Sequence, residues 1–203
     1  MKVSTPAAQQ TPSRPALIQA VIDSFSIPEL RSRIVFTLTV MVIFRFLAHV
    51  PVVSVDPGAM RDIFGENQLL GFLNLFSGGG LRNMSIVALG VYPYITSSII
   101  MQLLTPVIPR LQALAKEGES GRQRMNQITH WITVPISLAQ GYGQLTLIQR
   151  LGGLSAGAFS GGLGLDSLGM IVSMTAGTMF LVWLGELITE KGIGNGISIL
   201  IFA

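Results

Sequence analysis

The sequence predicts an all-α membrane protein, and three observations carry that reading. Hydrophobic residues make up 49% of the 203-residue chain and charged ones only 11%, against about 25% charged in a soluble domain. The mean hydropathy is +0.59. Apolar runs recur along the chain at lengths near the roughly 20 residues that a helix needs to cross a bilayer. The 23 glycines suit packed transmembrane helices, where small residues let backbones approach.

The same composition excludes several classes of chemistry. With no cysteine, disulfides and thiolate metal sites are impossible. The two histidines, His49 and His130, lie far apart and form no local metal motif. A formal charge of +3 is too small for a nucleic-acid binder. No carboxylate pair and no nucleophile–base set stands out, so no enzyme and no cofactor is expected.

Residues 1–26 read as a polar, Pro/Ser-rich cytoplasmic tail without the apolar core of a signal peptide, followed by a surface helix. In that helix Leu17, Ile18, Val21, Ile22 and Phe25 recur at helical spacing. It fits either a membrane surface or an ordinary amphipathic turn. Ile34 to Val53 is the first expected span. It carries Arg45 and His49, and a charge there must snorkel to an interface or meet protein.

Pro51 to Gln68 reads as a polar connector. The apolar stretch from Leu69 that follows ends in Gly78, Gly79 and Gly80. It is too short to span and reads as re-entrant or buried against other helices. Met84 to Pro106 is the second expected span, with Pro93 interrupting its hydrogen-bond ladder. Thr96, Ser97 and Ser98 follow, and their hydroxyls are expected to bond back to carbonyls.

Val107 to Gln127 is a charged loop containing KEGESGRQR. Ile128 to Ile148, with His130, Pro135, Gln140 and Gln144, reads as a third span facing protein. Residues 150–167 form a glycine-rich outer loop, and Leu168 to Ile188 is the clearest span, with Glu186 near one end. GIGNG lacks the strand, spacing and GK[ST] ending of a phosphate loop. A fifth apolar run begins near Ile193 and stops at Ala203, so the chain is expected to be part of a larger membrane protein.

Basic residues orient these spans. With the N-terminus cytoplasmic, Lys2, Arg14, Arg31, Arg33, Arg110, Lys116, Arg122, Arg124 and Lys191 lie inside. Only Arg61, Arg82 and Arg150 lie outside.

Four stretches together resemble the SecY family, the protein-conducting channel of the Sec translocon. They are LNLFSGGGL (Leu73 to Leu81), ALGVYPYITSSIIMQLL (Ala88 to Leu104), KEGESGR (Lys116 to Arg122) and GTMFLVWLGELITEKGIGNGISILIFA (Gly177 to Ala203). The resemblance runs from about Phe25 to Ala203 and is weak over the outer loop. It implies that residues 27–203 are the five-helix N-terminal half of a ten-span pseudo-symmetric channel, with a short re-entrant plug helix over residues 69–80. Leu69, Leu70, Phe72, Leu73, Phe76, Gly78, Gly79 and Gly80 would form that plug. The following helix would line the pore and one side of a lateral gate.

The resemblance also implies an aliphatic ring at the pore waist. Its first-half members map onto Val91, Ile95, Ile197 and Ile201, with Val91 standing where bacterial members often have isoleucine. Such a ring blocks ions because a narrow apolar constriction dewets, and the spacing of four within each pair agrees with one helix face.

Lys116, Glu117, Arg122, Arg124 and Lys191 would face a cytosolic partner, the SecA motor or the ribosome. SecE-like and SecG-like subunits, signal peptides, nascent polypeptides and the bilayer complete the implied partners. The implied place is the inner membrane of a prokaryote. A secondary transporter with broken helices is the alternative, although spans two and four offer few polar ligands near mid-membrane. Spans two and five are expected to show an aliphatic face without a partner in this chain. Gln140, Gln144 and the Thr96–Ser98 cluster are expected to face the absent half or an aqueous cavity.

Overall fold

The computed structural model describes residues 27–52, 57–66, 68–76, 79–154 and 164–203. The cytoplasmic tail and surface helix expected over 1–26, Gly78 of the expected plug and residues 155–163 of the outer loop lie outside the described residues. Within them the chain is helical. The elements are α1 (Pro28–Leu47), α2 (Pro57–Glu66), α3 (Gln68–Phe76), α4 (Tyr92–Leu104), α5 (Pro109–Lys116), α6 (Glu119–Arg150), α7 (Leu165–Lys191) and α8 (Gly196–Phe202). Pro51 and Ser85 form an isolated antiparallel bridge.

The first helix is displaced from the expected Ile34 to Val53. It starts at Pro28, whose ring sits in the first turn, where a missing N–H costs nothing. It ends at Leu47 because the chain then turns and goes extended. Val52 N–H donates to Met84 O at 2.7 Å and Ile86 N–H to Val50 O at 3.1 Å. Val50 and Val52 are apolar, so hydropathy alone extended the span through them. Arg45 thereby falls in the last turn of α1, exposed, and its carbonyl lies 2.7 Å from His49 Nδ1.

The second expected span is corrected more deeply. Residues 84–91 are turns, and the helix begins only at Tyr92. Pro93 does not interrupt a helix; it occupies the first turn and starts one. After Leu104 the axis bends by 100° into α5, with Pro106 and Pro109 flanking the break. The expected charged loop is therefore a helical corner. Lys116 closes α5, Gly118 turns the chain at φ +74, and Arg122 and Arg124 ride on α6. The expected connector likewise contains α2, and the fifth run becomes helical at Gly196, three residues beyond Ile193.

Among the described residues, α7 is the helix long and apolar enough to cross a membrane by itself, and the bent pair α4–α5 passes the same test when taken together. α7 is the hub: α1, α4, α6 and α8 all pack on it, and α4 also packs on α6. The α6 side of this packing uses Thr129, Thr133, Ser137 and Gly141, all buried at intervals of four. Thr129 Oγ1 and Thr133 Oγ1 donate back to carbonyls at 2.9 and 2.8 Å. Their polar groups are thus satisfied while the helix surface stays narrow enough for close approach.

The core has two parts. One gathers Val52, Met60, Leu81, Met84, Ala88 and Leu89 against Leu145, Ile148, Met170, Ile171 and Met174. The other gathers Val40, Phe44 and Ala48 of the α1 end with Val87, Val91, Leu181, Leu184, Ile188 and Leu200. The turn segment 84–91 feeds both, which explains how non-helical backbone is accommodated: it is buried in protein.

Candidate functional site

Val91, Ile95, Ile197 and Ile201 all belong to the second core cluster. Two elements bring them together. Val91 is the residue before α4, with its carbonyl accepting from Ile95 N–H at 3.1 Å, so the pair remains stacked although Val91 itself is outside the regular helix. Ile197 and Ile201 lie one turn apart on α8. The start of α8 is held by its cap: Asn195 Oδ1 accepts from Ser198 N–H at 3.2 Å, and Thr189 Oγ1 accepts from Gly196 N–H at 2.9 Å. Arg33 Nη1 reaches Gly192 O at 3.4 Å and ties the same turn to α1.

The expectation of an aliphatic face without a partner is met on α4 at Ile99 and Leu103, both exposed, and not at the ring positions. Val91 is 6% exposed, and Ile95, Ile197 and Ile201 are half-buried against the second core cluster. The apolar side chains that α4 and α8 leave exposed are instead Tyr92, Ile99, Leu103 and Phe202. Ser97 is fully buried and donates to Pro93 O at 2.8 Å, and Thr96 donates to Tyr92 O at 3.1 Å. Those two hydroxyls thus serve their own helix. Gln140 Oε1 and Gln144 Nε2 are buried atoms with no hydrogen bond among the described residues.

In the expected plug region, α3 spans Gln68–Phe76 and follows α2 closely. Phe72 is exposed and Leu70 half-buried, while the side chains of Leu69, Leu73 and Phe76 lie outside the described residues. The glycine stop is turned by Gly79 at φ +84, and Gly80 is buried. Arg82 N–H donates to Asn74 Oδ1 at 2.8 Å, folding the exit of α3 back on itself. Lys116, Glu117, Arg122, Arg124 and Lys191 are all exposed. Arg124 and Glu117 approach to 3.9 Å, a solvated pair worth little to stability.

One constellation was not assembled from the sequence. His130 Nε2 of α6 lies 3.0 Å from Glu186 Oε1 of α7. Asn126 Nδ2 donates to the same oxygen at 3.5 Å, and the Tyr94 ring of α4 lies 5.8 Å from the imidazole, centroid to centroid. His130 and Glu186 were each visible as polar residues in apolar runs, but only the crossing of α6 on α7 joins them.

The SecY family model matches residues 85–203. Relatives carry the match across nearly the whole chain. Protein translocase subunit SecY of Streptomyces lividans is 42% identical over 196 residues, covering 92% of this chain and 45% of that protein. Its counterpart in Pseudomonas aeruginosa is 42% identical over 186 residues, covering 91% and 41%. The chain belongs to the SecY family.

The chain spans about 45% of the length of the curated SecY relatives it matches. Among solved structures, Sec61 in the canine ribosome-channel complex from the endoplasmic reticulum superposes with a TM-score of 0.56 at 17% identity, over 89% of this chain and 40% of that one. A SecY structure described for a plug domain that stabilises the closed state and maintains a membrane seal gives 0.54 at 18% identity, over 87% and 38%. The helical fold is that of these SecY and Sec61 channels.

Proposed function

We propose that the chain is the N-terminal half of a protein-conducting channel, which passes unfolded secretory polypeptides across the inner membrane of a bacterium and releases membrane segments sideways. The observation that carries this reading is the convergence of Val91, Ile95, Ile197 and Ile201 in one apolar cluster built from two separate elements. These side chains are half of a hydrophobic seal: Ile95, Ile197 and Ile201 keep part of their surface open, and a second set of helices meeting that open surface supplies the other half. Gln140 and Gln144, each with a buried amide atom unpaired, suit contact with that second set or with water beside it.

Residues 69–80 act as the plug, a short helix folded back from the outer face. The α5–α6 corner and Lys191 present charge to a cytosolic partner, SecA or a ribosome, and SecE-like and SecG-like subunits clamp the assembly. The N-terminus lies in the cytoplasm, as the bias of basic residues requires.

The seal is tested in the full-length channel in planar bilayers. A carboxylate at the ring hydrates the constriction, because a charge at the bilayer centre costs about 2.5–3.5 kcal/mol or more when left bare. Ile95→Asp therefore raises resting ion conductance and Ile95→Leu leaves it unchanged. Unaltered resting conductance in a folded Ile95→Asp channel rejects the assignment.

A further inference from the structure

We propose that His130, Glu186 and Tyr94 form a protonation-dependent latch on the half-ring, tight when the imidazole is charged and loose when it is neutral. The inference rests on the seal reading above and names a regulation of that same site. It begins from where the cluster sits. Tyr94 lies on α4 between the ring positions Val91 and Ile95. Glu186 follows Gly185, and a methyl group built on Gly185 would fall on the Ile197 side chain. The His130–Glu186 contact therefore touches the α4 limb of the half-ring through Tyr94, and Glu186 sits one residue beyond the glycine against which Ile197 of the α8 limb packs.

The chemistry of the cluster makes one proton decisive. The groups that face the imidazole are Glu186 from α7 and Tyr94 from α4, while Asn126 shares the Glu186 oxygen from one turn back on α6. Histidine is the side chain whose charge ordinarily changes between about pH 5 and 8. Protonated, His130 forms an ion pair with Glu186 at 3.0 Å. The same charge is attracted to the Tyr94 ring, whose centroid at 5.8 Å is inside the roughly 6 Å range for cation–π attraction. Both contacts weaken together when the proton leaves. The Glu186 carboxylate then has at most a neutral imidazole N–H in place of the ion pair, besides the long hydrogen bond from Asn126.

The His130 and Glu186 side chains retain 26% and 32% exposure, while the Nε2 atom that meets Glu186 is itself buried, in ion-pair contact without a well-formed hydrogen bond. Trp131, next to His130, and Trp183, one turn from Glu186, are both exposed, as befits indoles at a membrane–water interface. Glu186 is also near the end of α7 that carries Glu190 and Lys191, the cytoplasmic end in the proposed orientation. The latch thus reads cytosolic pH.

The test uses the full-length channel with its small subunits, in planar bilayers at pH 6 and pH 8. A coupling at the low end of the usual range makes wild-type resting conductance about fivefold higher at pH 8 than at pH 6. His130→Lys, which keeps the charge, and His130→Gln, which removes it, each abolish that ratio, and Glu186→Gln does the same from the other side. If the His130 variants keep the wild-type ratio, the latch is wrong.

Ile95→Asp measured in parallel separates the two readings. Raised conductance in Ile95→Asp with an unchanged pH ratio in the His130 variants overturns the latch and leaves the seal standing. If Ile95→Asp is silent, the seal fails, and melting of the purified channel decides the latch alone. A wild-type melting advantage over His130→Gln at pH 6 that vanishes at pH 8 supports it, and an equal advantage at both overturns it.

Discussion

Gly196 abuts the backbone of Gly185: a methyl group on Gly196 would collide with the Gly185 carbonyl oxygen. This contact lets α8 turn back against the end of α7 and sets the position of Ile197 and Ile201. Gly194, at φ +69, makes the turn between them. The GIGNG run is thus a packing and turning device that positions Ile197 and Ile201, two residues of the proposed ring.

Gly196→Ala is expected to destabilise the full-length channel by about 1–3 kcal/mol, the usual penalty for overpacking, because the Gly185 carbonyl it would strike is backbone and cannot swing aside. Gly194→Asn is expected to cost little, since open space surrounds that position and asparagine tolerates a left-handed backbone. Melting temperatures of the two variants in detergent check the contrast. Equal losses would mean that the close approach is not what the glycine serves.

Removal of Leu145, fully buried in the core cluster that excludes the ring, separates stability from sealing. Leu145→Ala is expected to cost about 2–5 kcal/mol, the transfer and cavity terms together, while resting conductance stays at the wild-type level. A leak in that variant would show that the seal depends on the whole bundle and not on its ring.

Orientation is checked with single cysteines in intact cells. Ser160→Cys, in the expected outer loop, should react with an impermeant thiol reagent, and Ser120→Cys, on the exposed start of α6, should not. The reverse pattern would invert the assignment drawn from the basic residues.

Deletion of residues 69–80 from the full-length channel is expected to raise resting conductance while export of a secretory protein continues. The outcome that rules out a plug is a deletion channel as tight as wild type. The exposed Phe72 of α3 gives a milder variant: Phe72→Ser should leak less than the deletion and more than wild type.

Much of the architecture was legible because apolar runs of spanning length report themselves through composition alone. α7 was read within three residues at each end, since its apolar core is continuous and its flanks are charged. The segment 84–91 was not. Its residues are as apolar as those of α4, and hydropathy does not distinguish buried turns from buried helix. The cue was Pro93, which serves equally as an interruption or as a first-turn residue. Only the pairing of Val50 and Val52 with residues 84–86 decides between them. The four residues of the proposed ring were named through family resemblance alone, and their shared apolar cluster depends on the fold, including the cap at Asn195. The His130–Glu186 pair was invisible because it joins positions 56 residues apart through a helix crossing.

The turn segment between Gly80 and Tyr92 is a shared wall. Its backbone pairs with Val50 and Val52 upstream, and α7 leans on it where Gly177 rests directly on the Ile86 carbonyl. Ile86 packs against both core clusters. Any side chain at position 177 therefore displaces both halves of the core at once, and one glycine of α7 guards the register of the whole bundle.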